Sequence, residues 1–433
     1  MTEHSDLDVL CRSIAAGDCV AFVGAGFSAG ALGSRRQLLL RMNQTERLPP
    51  EIAEAVIALL SSETPSNMDL EAAAQLLDDA LEPGGGLAKA LAAIDHTATP
   101  DSALQQIERR HGWLTGIPFR AILTTNFDQY LAGSIPDGSS YLAALRERAR
   151  WWEDLYWRDR QPPILKLHGD LGGDGRIVLT RRDYRERLYS DPAYTTFLKA
   201  LFATTTVLYL GFSFTDAYLN ELRSEVLSLT EHRPGDPPIA YAVIPDISEH
   251  QAQFMRNHEG IAVFPYQLDD AHLGFDQFLE DLWLRTNPTA LLGRAVAGKR
   301  ILWIDPNTVT GDVHRGMEFL ETAAATADAT TPITRVATVA EGLQHLRLNT
   351  WDLVVTHWGH GLGSTSEESA AEHLLRSMRS DELEAPVIIF AGGDHADDNK
   401  DAVTRLGAYG YAYRWPALFE QIDRLFTPGA QSG

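Results

Sequence analysis

Cysteine is nearly absent from this 433-residue chain: only Cys11 and Cys19 occur, both near the N-terminus. Two thiols cannot build a four-thiolate zinc site or a disulfide framework, and their scarcity predicts a reducing, cytoplasmic setting. Basic side chains are also short, 37 against 59 acidic ones, for a formal net charge of −22. So acidic a protein is repelled by nucleic-acid phosphates and by anionic lipid, so neither is an expected partner. No apolar run approaches the roughly 18 residues of a membrane span. The opening Met1-Thr2-Glu3-His4-Ser5-Asp6 is acidic where a secretory signal is basic, which predicts a protein without one. With 44% hydrophobic and 22% charged residues, the chain reads as soluble and globular, long enough for two or three domains.

Short apolar runs alternate with longer helical patterns, the rhythm of α/β architecture with parallel sheets. Strands are expected at Val20–Val23, Ala121–Thr124, Ile164–Leu167, Val207–Leu210, Ile239–Ile244 and Ile261–Pro265. The Ala- and Leu-rich stretch of about 45–115 lacks strand signals and reads as a helical insertion, interrupted by Glu82-Pro83-Gly84-Gly85-Gly86. Asn287-Pro288-Thr289 and the polar Gly298-Lys299-Arg300 mark a boundary, after which five strands and five helices follow. The domains expected are residues 1–290, a Rossmann-like parallel sheet with its insertion, and 299–433, a smaller five-stranded flavodoxin-like sheet.

Four strand ends carry polar or glycine-rich loops, and ligands bind in the crevice outside strand C-termini in open α/β sheets. After the first strand, Gly24-Ala25-Gly26-Phe27-Ser28 permits a tight turn and close approach of backbone N–H groups to a pyrophosphate. Glycine-rich strand ends also serve as plain turns, and no ribose-binding acid follows at dehydrogenase spacing. After the second strand, Thr125-Asn126-Phe127-Asp128 offers an amide and a carboxylate, though either could simply cap a helix. After the third, His168-Gly169-Asp170 places an imidazole that, titrating near neutrality, could act as a base. After the fourth, Gly211-Phe212-Ser213 supplies a small hydroxylated loop, followed by Asp216 as the expected cap of the next helix.

In this order, the four segments resemble the sirtuin-like superfamily of NAD-consuming proteins. Ile177-Val178-Leu179-Thr180 with Asp183-Tyr184, then Leu201-Phe202, is similar to its bacterial antiphage-defence branch, the Thoeris-type and short-Argonaute-associated NADases. The resemblance covers residues 10–285. It implies that Gly24, Ala25, Gly26, Ser28, Thr125, Gly211 and Ser213 line the NAD⁺ pocket, and that Asn126 orients the nicotinamide ribose and a nucleophilic water. It further implies that Asp128 fixes the nicotinamide end and that His168 acts as the base. Family deacylases carry a four-cysteine zinc module; residues 51–110 and 129–165 contain no cysteine, so no structural zinc is expected and hydrolysis is favoured over deacylation. Ala31-Leu32-Gly33-Ser34-Arg35-Arg36 also departs from the family's usual loop.

The C-terminal half resembles a response-regulator receiver, with Asp305 after its first strand. His357 stands where the phosphoacceptor belongs, Ala391-Gly392-Gly393 lacks the hydroxyl, and Arg414-Trp415 replaces the lysine. A degenerate receiver for regulation or assembly is therefore expected. His357 and His360 beside Asp305 suit plain surface roles better than a metal site, and no metal is expected. The activity implied is cleavage of NAD⁺ to nicotinamide and ADP-ribose, in a homo-oligomer gated by its C-terminal domain or by a phage-derived or co-encoded protein. The alternatives are ADP-ribosylation or deacylation of a protein, or NAD⁺ sensing without turnover.

Overall fold

The computed structural model describes residues 5–28, 31, 33–63, 65–81, 86–93, 100–136, 141, 162–172, 177–214, 217–229, 232–269, 271–306, 311–359, 369–390 and 405–427. Asp216, His360 and Ala391-Gly392-Gly393 lie outside these residues. The chain divides into two compact units that part between Trp283 and Leu284.

In the first unit six parallel strands form one sheet: β1 (Cys19–Val23), β2 (Ile122–Thr124), β3 (Ile164–Lys166), β4 (Thr206–Leu210), β5 (Ala240–Pro245) and β6 (Ile261–Tyr266). Their spatial order is β3-β2-β1-β4-β5-β6, the doubly wound Rossmann order, in which the chain changes direction between β1 and β4. Both faces are buried, which is why these strands read as continuous apolar runs rather than alternating ones. On one face Leu10 and Ile14, Ile107 and Leu114, and Phe275, Leu279 and Leu282 project from helices Asp6–Ala15, Asp101–Gly116 and Leu273–Thr286. On the other, helices Pro192–Thr204 and Ala217–Leu229 contribute Phe197, Leu201, Leu222 and Val226.

The long connection from β1 to β2 holds the helices Arg35–Thr45, Pro50–Leu59, Asn67–Ala80 and Gly86–Ala92. They close their own small core of Leu39, Met42, Val56, Ala73, Leu77 and Leu91, onto which Leu179 packs from beyond β3. Helix Asp101–Gly116, at the end of the insertion expected above, instead packs against the sheet through Ile107 and Leu114.

The second unit contains β7 (Ile301–Ile304), β8 (Ile333–Val336), β9 (Leu353–Thr356), β10 (Val387–Phe390) and β11 (Gly410–Ala412), all parallel. The order β11-β10-β9-β7-β8 is the 2-1-3-4-5 winding of flavodoxin-like sheets. Helix Pro288–Val296 belongs to this unit: Leu292 and Val296 enter its core beside Trp303, Leu320 and Phe419.

Candidate active site

A cleft of about 410 Å³ opens at the C-terminal edge of the first sheet, at the β1/β4 change of direction. Loops after four strands line it: Gly24, Ala25, Gly26 and Ser28 after β1; Thr125, Asn126 and Asp128 after β2; His168 after β3; Ser213 after β4. Nine of the ten residues singled out from sequence therefore share one cleft. The tenth, Gly211, lies directly behind it.

The glycines have a sharper reason than close approach to a ligand. A Cβ on Gly24 would stand 2.6 Å from the Gly211 carbonyl oxygen, and one on Gly26 would stand 2.9 Å from the Gly211 Cα. Gly211 itself is left-handed, with φ +61°, and its Cβ would meet the Phe27 nitrogen at 2.5 Å. The N–H groups of Gly24 and Gly26 donate to the carbonyls of Leu210 and Gly211, each at 2.9 Å. These two donors are thus spent on joining the β1 and β4 loops.

Asn126 bridges in the opposite direction. Its backbone N–H donates to Thr124 Oγ1 (3.0 Å), whose hydroxyl donates to the Val23 carbonyl, and its Nδ2 donates to the Gly24 carbonyl at 3.1 Å. By inventory the side-chain oxygen and the second amide hydrogen stay outside these bonds, on a residue that lines the cleft. Asp128 makes no helix cap: its Oδ1 accepts the Tyr130 N–H in an Asx-type turn, and its Oδ2 accepts from the Ser28 hydroxyl at 2.9 Å. Burial pushes its carboxyl up from the ordinary value, opposed by the hydrogen bonds from Ser28 and Tyr130 and by the Lys166 charge.

His168 is buried and stands edge-on to Tyr184, with ring centroids 5.3 Å apart. The expectation of titration near neutrality is not met. Burial first, then the charges of Arg35 and Arg187, lower its pKa to about 3. The imidazole is neutral at physiological pH, an acceptor and a weak base.

Three residues in or behind the cleft have no site role from sequence, although Tyr184 stands in a segment that carries the resemblance and Arg35 in the loop that departs from it. Arg35, just past the Ser34 capping box that starts its helix, reaches the Leu179 carbonyl and Asn67 Oδ1 and lies 5.9 Å from the Tyr184 ring centroid. Its buried Nε has no hydrogen-bond partner among the described residues. Tyr184, in helix Arg181–Ser190, closes one wall. Lys166, at the end of β3, is completely buried behind the loops. The signal that could have found it is its charge inside an otherwise apolar strand.

The arrangement is a doubly wound domain with a cleft at its change of direction, and residues 120–264 match the family described as SIR2-like domain. The matched segment holds Asn126, Asp128 and His168. Part of the chain is similar to three proteins named NAD(+) hydrolase ThsA. The one from Enterococcus faecium is 31% identical over 124 residues, 28% of this chain and 25% of that protein. The one from Bacillus cereus is 26% identical over 125 residues, 29% of this chain and 26% of that protein. The one from Cytobacillus dafuensis is 24% identical over 165 residues, 38% and 32% of the two chains. The match thus spans about a quarter to a third of the curated relatives' length. A Francisella response-regulator receiver domain aligns with 30% of this chain and 97% of its own, at 19% identity and a TM-score of 0.23. The flavodoxin-like winding of the second unit rests on its strand order instead. Among the described residues no cluster of three or more His, Cys, Asp or Glu could hold a metal, and no helix is long and apolar enough to cross a membrane.

Proposed function

We propose that the first unit, expected from sequence to reach residue 290 and ending at Trp283 in the structure, is an NAD⁺ glycohydrolase that releases nicotinamide and ADP-ribose. The observation that carries this reading is the convergence of Ser28, Asn126, Asp128 and His168 in one cleft at the sheet's change of direction. Nicotinamide leaves as a neutral base from a cationic substrate, and its departure generates an oxocarbenium-like centre. Catalysis then needs chiefly a positioned water and a site that holds the ribose while excluding competitors. Asn126, held by Gly24 and Thr124, orients that water and the ribose. Asp128, fixed by Ser28, meets the nicotinamide end. Neutral His168 accepts a hydrogen bond from water or a ribose hydroxyl.

The relatives' name supports hydrolysis of NAD⁺ as the chemistry. Depletion of NAD⁺ as an antiphage response extends that reading to the cell, with the second unit, expected from sequence as residues 299–433 and joined in the structure by helix Pro288–Val296, acting as a degenerate receiver that gates or assembles the enzyme. An ungated NAD⁺ hydrolase would kill its host, and a symmetric oligomer can switch many sites together. The weak basicity of His168 is the observation that favours an NAD⁺ sensor instead. Purified full-length protein, assayed over a concentration series with and without phage-infected lysate, separates the two. Equal amounts of nicotinamide and free ADP-ribose are expected; NAD⁺ binding without turnover under every condition would leave the sensor.

A further inference from the structure

Lys166 is the least economical residue in the first unit. Along β3, Leu165 and Leu167 enter one core and Ile164 the other, and Lys166 shares the face of Ile164 by strand alternation. A leucine or methionine would satisfy that position. Burying an ammonium is costly unless it is paired, and a buried ion pair adds little stability over apolar packing. The charge therefore calls for a different explanation, which its partners provide.

The ammonium donates to the backbone carbonyl of Asp128 and lies 3.0 Å from Asp170 Oδ1. Asp128 is two residues beyond Asn126, and Asp170 two residues beyond His168. One fully buried nitrogen thus ties the loop carrying the amide to the loop carrying the imidazole. The same oxygen of Asp170 accepts the Gly172 N–H at 3.0 Å, which shapes the second loop around the contact. Backbone bonds also join the two segments: Leu171 N–H to the Phe127 carbonyl at 2.9 Å, Leu167 N–H to the Thr124 carbonyl at 2.8 Å, and a bridge at Ser134, whose N–H donates to the Ile164 carbonyl and whose carbonyl accepts from the Lys166 N–H, each at 2.9 Å. These bonds hold the backbone near the strands, which are only three residues long in β2 and β3; beyond them, at the side chains, Lys166 adds the tie to Asp128 and Asp170.

We propose that Lys166 is a positioning residue: through the Asp128 carbonyl and Asp170 it sets the spacing of Asn126 and His168 across the cleft. The inference rests on the hydrolase reading for its kinetic consequence and on geometry alone for its structural one. Displacing reacting groups by about 1 Å costs on the order of 100-fold in rate, whereas ground-state binding tolerates it better. Lys166→Met should therefore lower kcat for nicotinamide release by about 100-fold while leaving the ADP-ribose dissociation constant unchanged. Asp170→Asn should cause a smaller loss in the same direction.

Leu165→Ala, on the same strand but facing away from the loops, controls for instability, with all variants compared well below their thermal midpoints. The side-chain NMR signal of His168 should move in Lys166→Met and Asp170→Asn but not in Leu165→Ala. Unchanged kcat in both loop variants, or losses no greater than that of Leu165→Ala, would overturn the kinetic role. An unmoved His168 signal would overturn the positioning role whatever the activity. Should wild-type protein release no nicotinamide, the hydrolase reading fails, and the His168 signal still decides whether Lys166 positions it.

Discussion

The two sheets differ most at their C-terminal edges. In the first, the edge residues bond to one another across loops: Ser28 to Asp128, Asn126 to Gly24, Lys166 to Asp128 and Asp170. In the second, buried Asp305 follows β7, and His357, after β9, turns its Nδ1 toward the Ile304 carbonyl at 3.3 Å. Parallel winding produces a crevice at the edge of either sheet. What differs is the side chains committed to it. The first edge brings an amide, a carboxylate and an imidazole to the cleft, with a buried ammonium and a second carboxylate bonded behind them. Among the described residues, the second edge places the Asp305 carboxylate after β7 and the His357 imidazole after β9. Winding creates the opportunity for a site, and at the first edge polar residues from four loops fill it.

The largest expected effect tests that contrast directly. Asn126→Ala or His168→Ala should lower nicotinamide release by about 100-fold or more. Asp305→Ala and His357→Ala should leave release by the active protein unchanged. Comparable losses from both edges, measured as nicotinamide formed per protein, would erase the distinction.

A second contrast concerns packing. Gly211→Ala would drive a methyl to 2.5 Å from the Phe27 nitrogen, in a left-handed backbone. Gly316→Ala in the second unit would drive one to 2.0 Å from the Trp415 ring. Each should destabilise its own unit by about 1–3 kcal/mol in denaturant unfolding. Only Gly211→Ala should also weaken ADP-ribose binding, because the loop it displaces abuts the cleft. Equal affinity in both variants would separate the β1–β4 loop packing from the site.

The smallest effect is acid sensitivity of the first unit. His168 has a pKa of about 3 when folded, against 6.5 for the unperturbed group, so the unfolded chain binds the extra proton. Its contribution to stability is complete above pH 6.5 and is given up as the pH falls from 6.5 toward 3. The thermal midpoint of wild-type protein should therefore fall between pH 7 and pH 5. In His168→Gln that decline should be shallower. Parallel curves for the two proteins would place the pH response elsewhere.

Much of the fold was legible because buried parallel strands write themselves as apolar runs. The expected segments of the first sheet match β1–β6 to within about two residues. The glycines and the Asn126, Asp128 and His168 loops were legible for a related reason: each interrupts an apolar run at its C-terminal end. The roles of Lys166, Arg35 and Tyr184 were not. A charge inside an apolar strand marks Lys166 as unusual, but what such a residue does depends on partners far along the chain, such as Leu179 for Arg35.

By itself the sequence determined the α/β class, the strand positions, the chemistry of the strand-end loops and the absence of a four-cysteine zinc module. Only the tertiary structure decided the strand order, and with it which loops meet. It decided that Gly24 and Gly26 join the loop at Gly211, that Asp128 makes an Asx turn rather than a helix cap, and that His168 is held neutral. The physical reason is range. Strand and turn propensities act over a few neighbouring residues, whereas desolvation, ion pairing and loop-to-loop contact depend on the fold that encloses them.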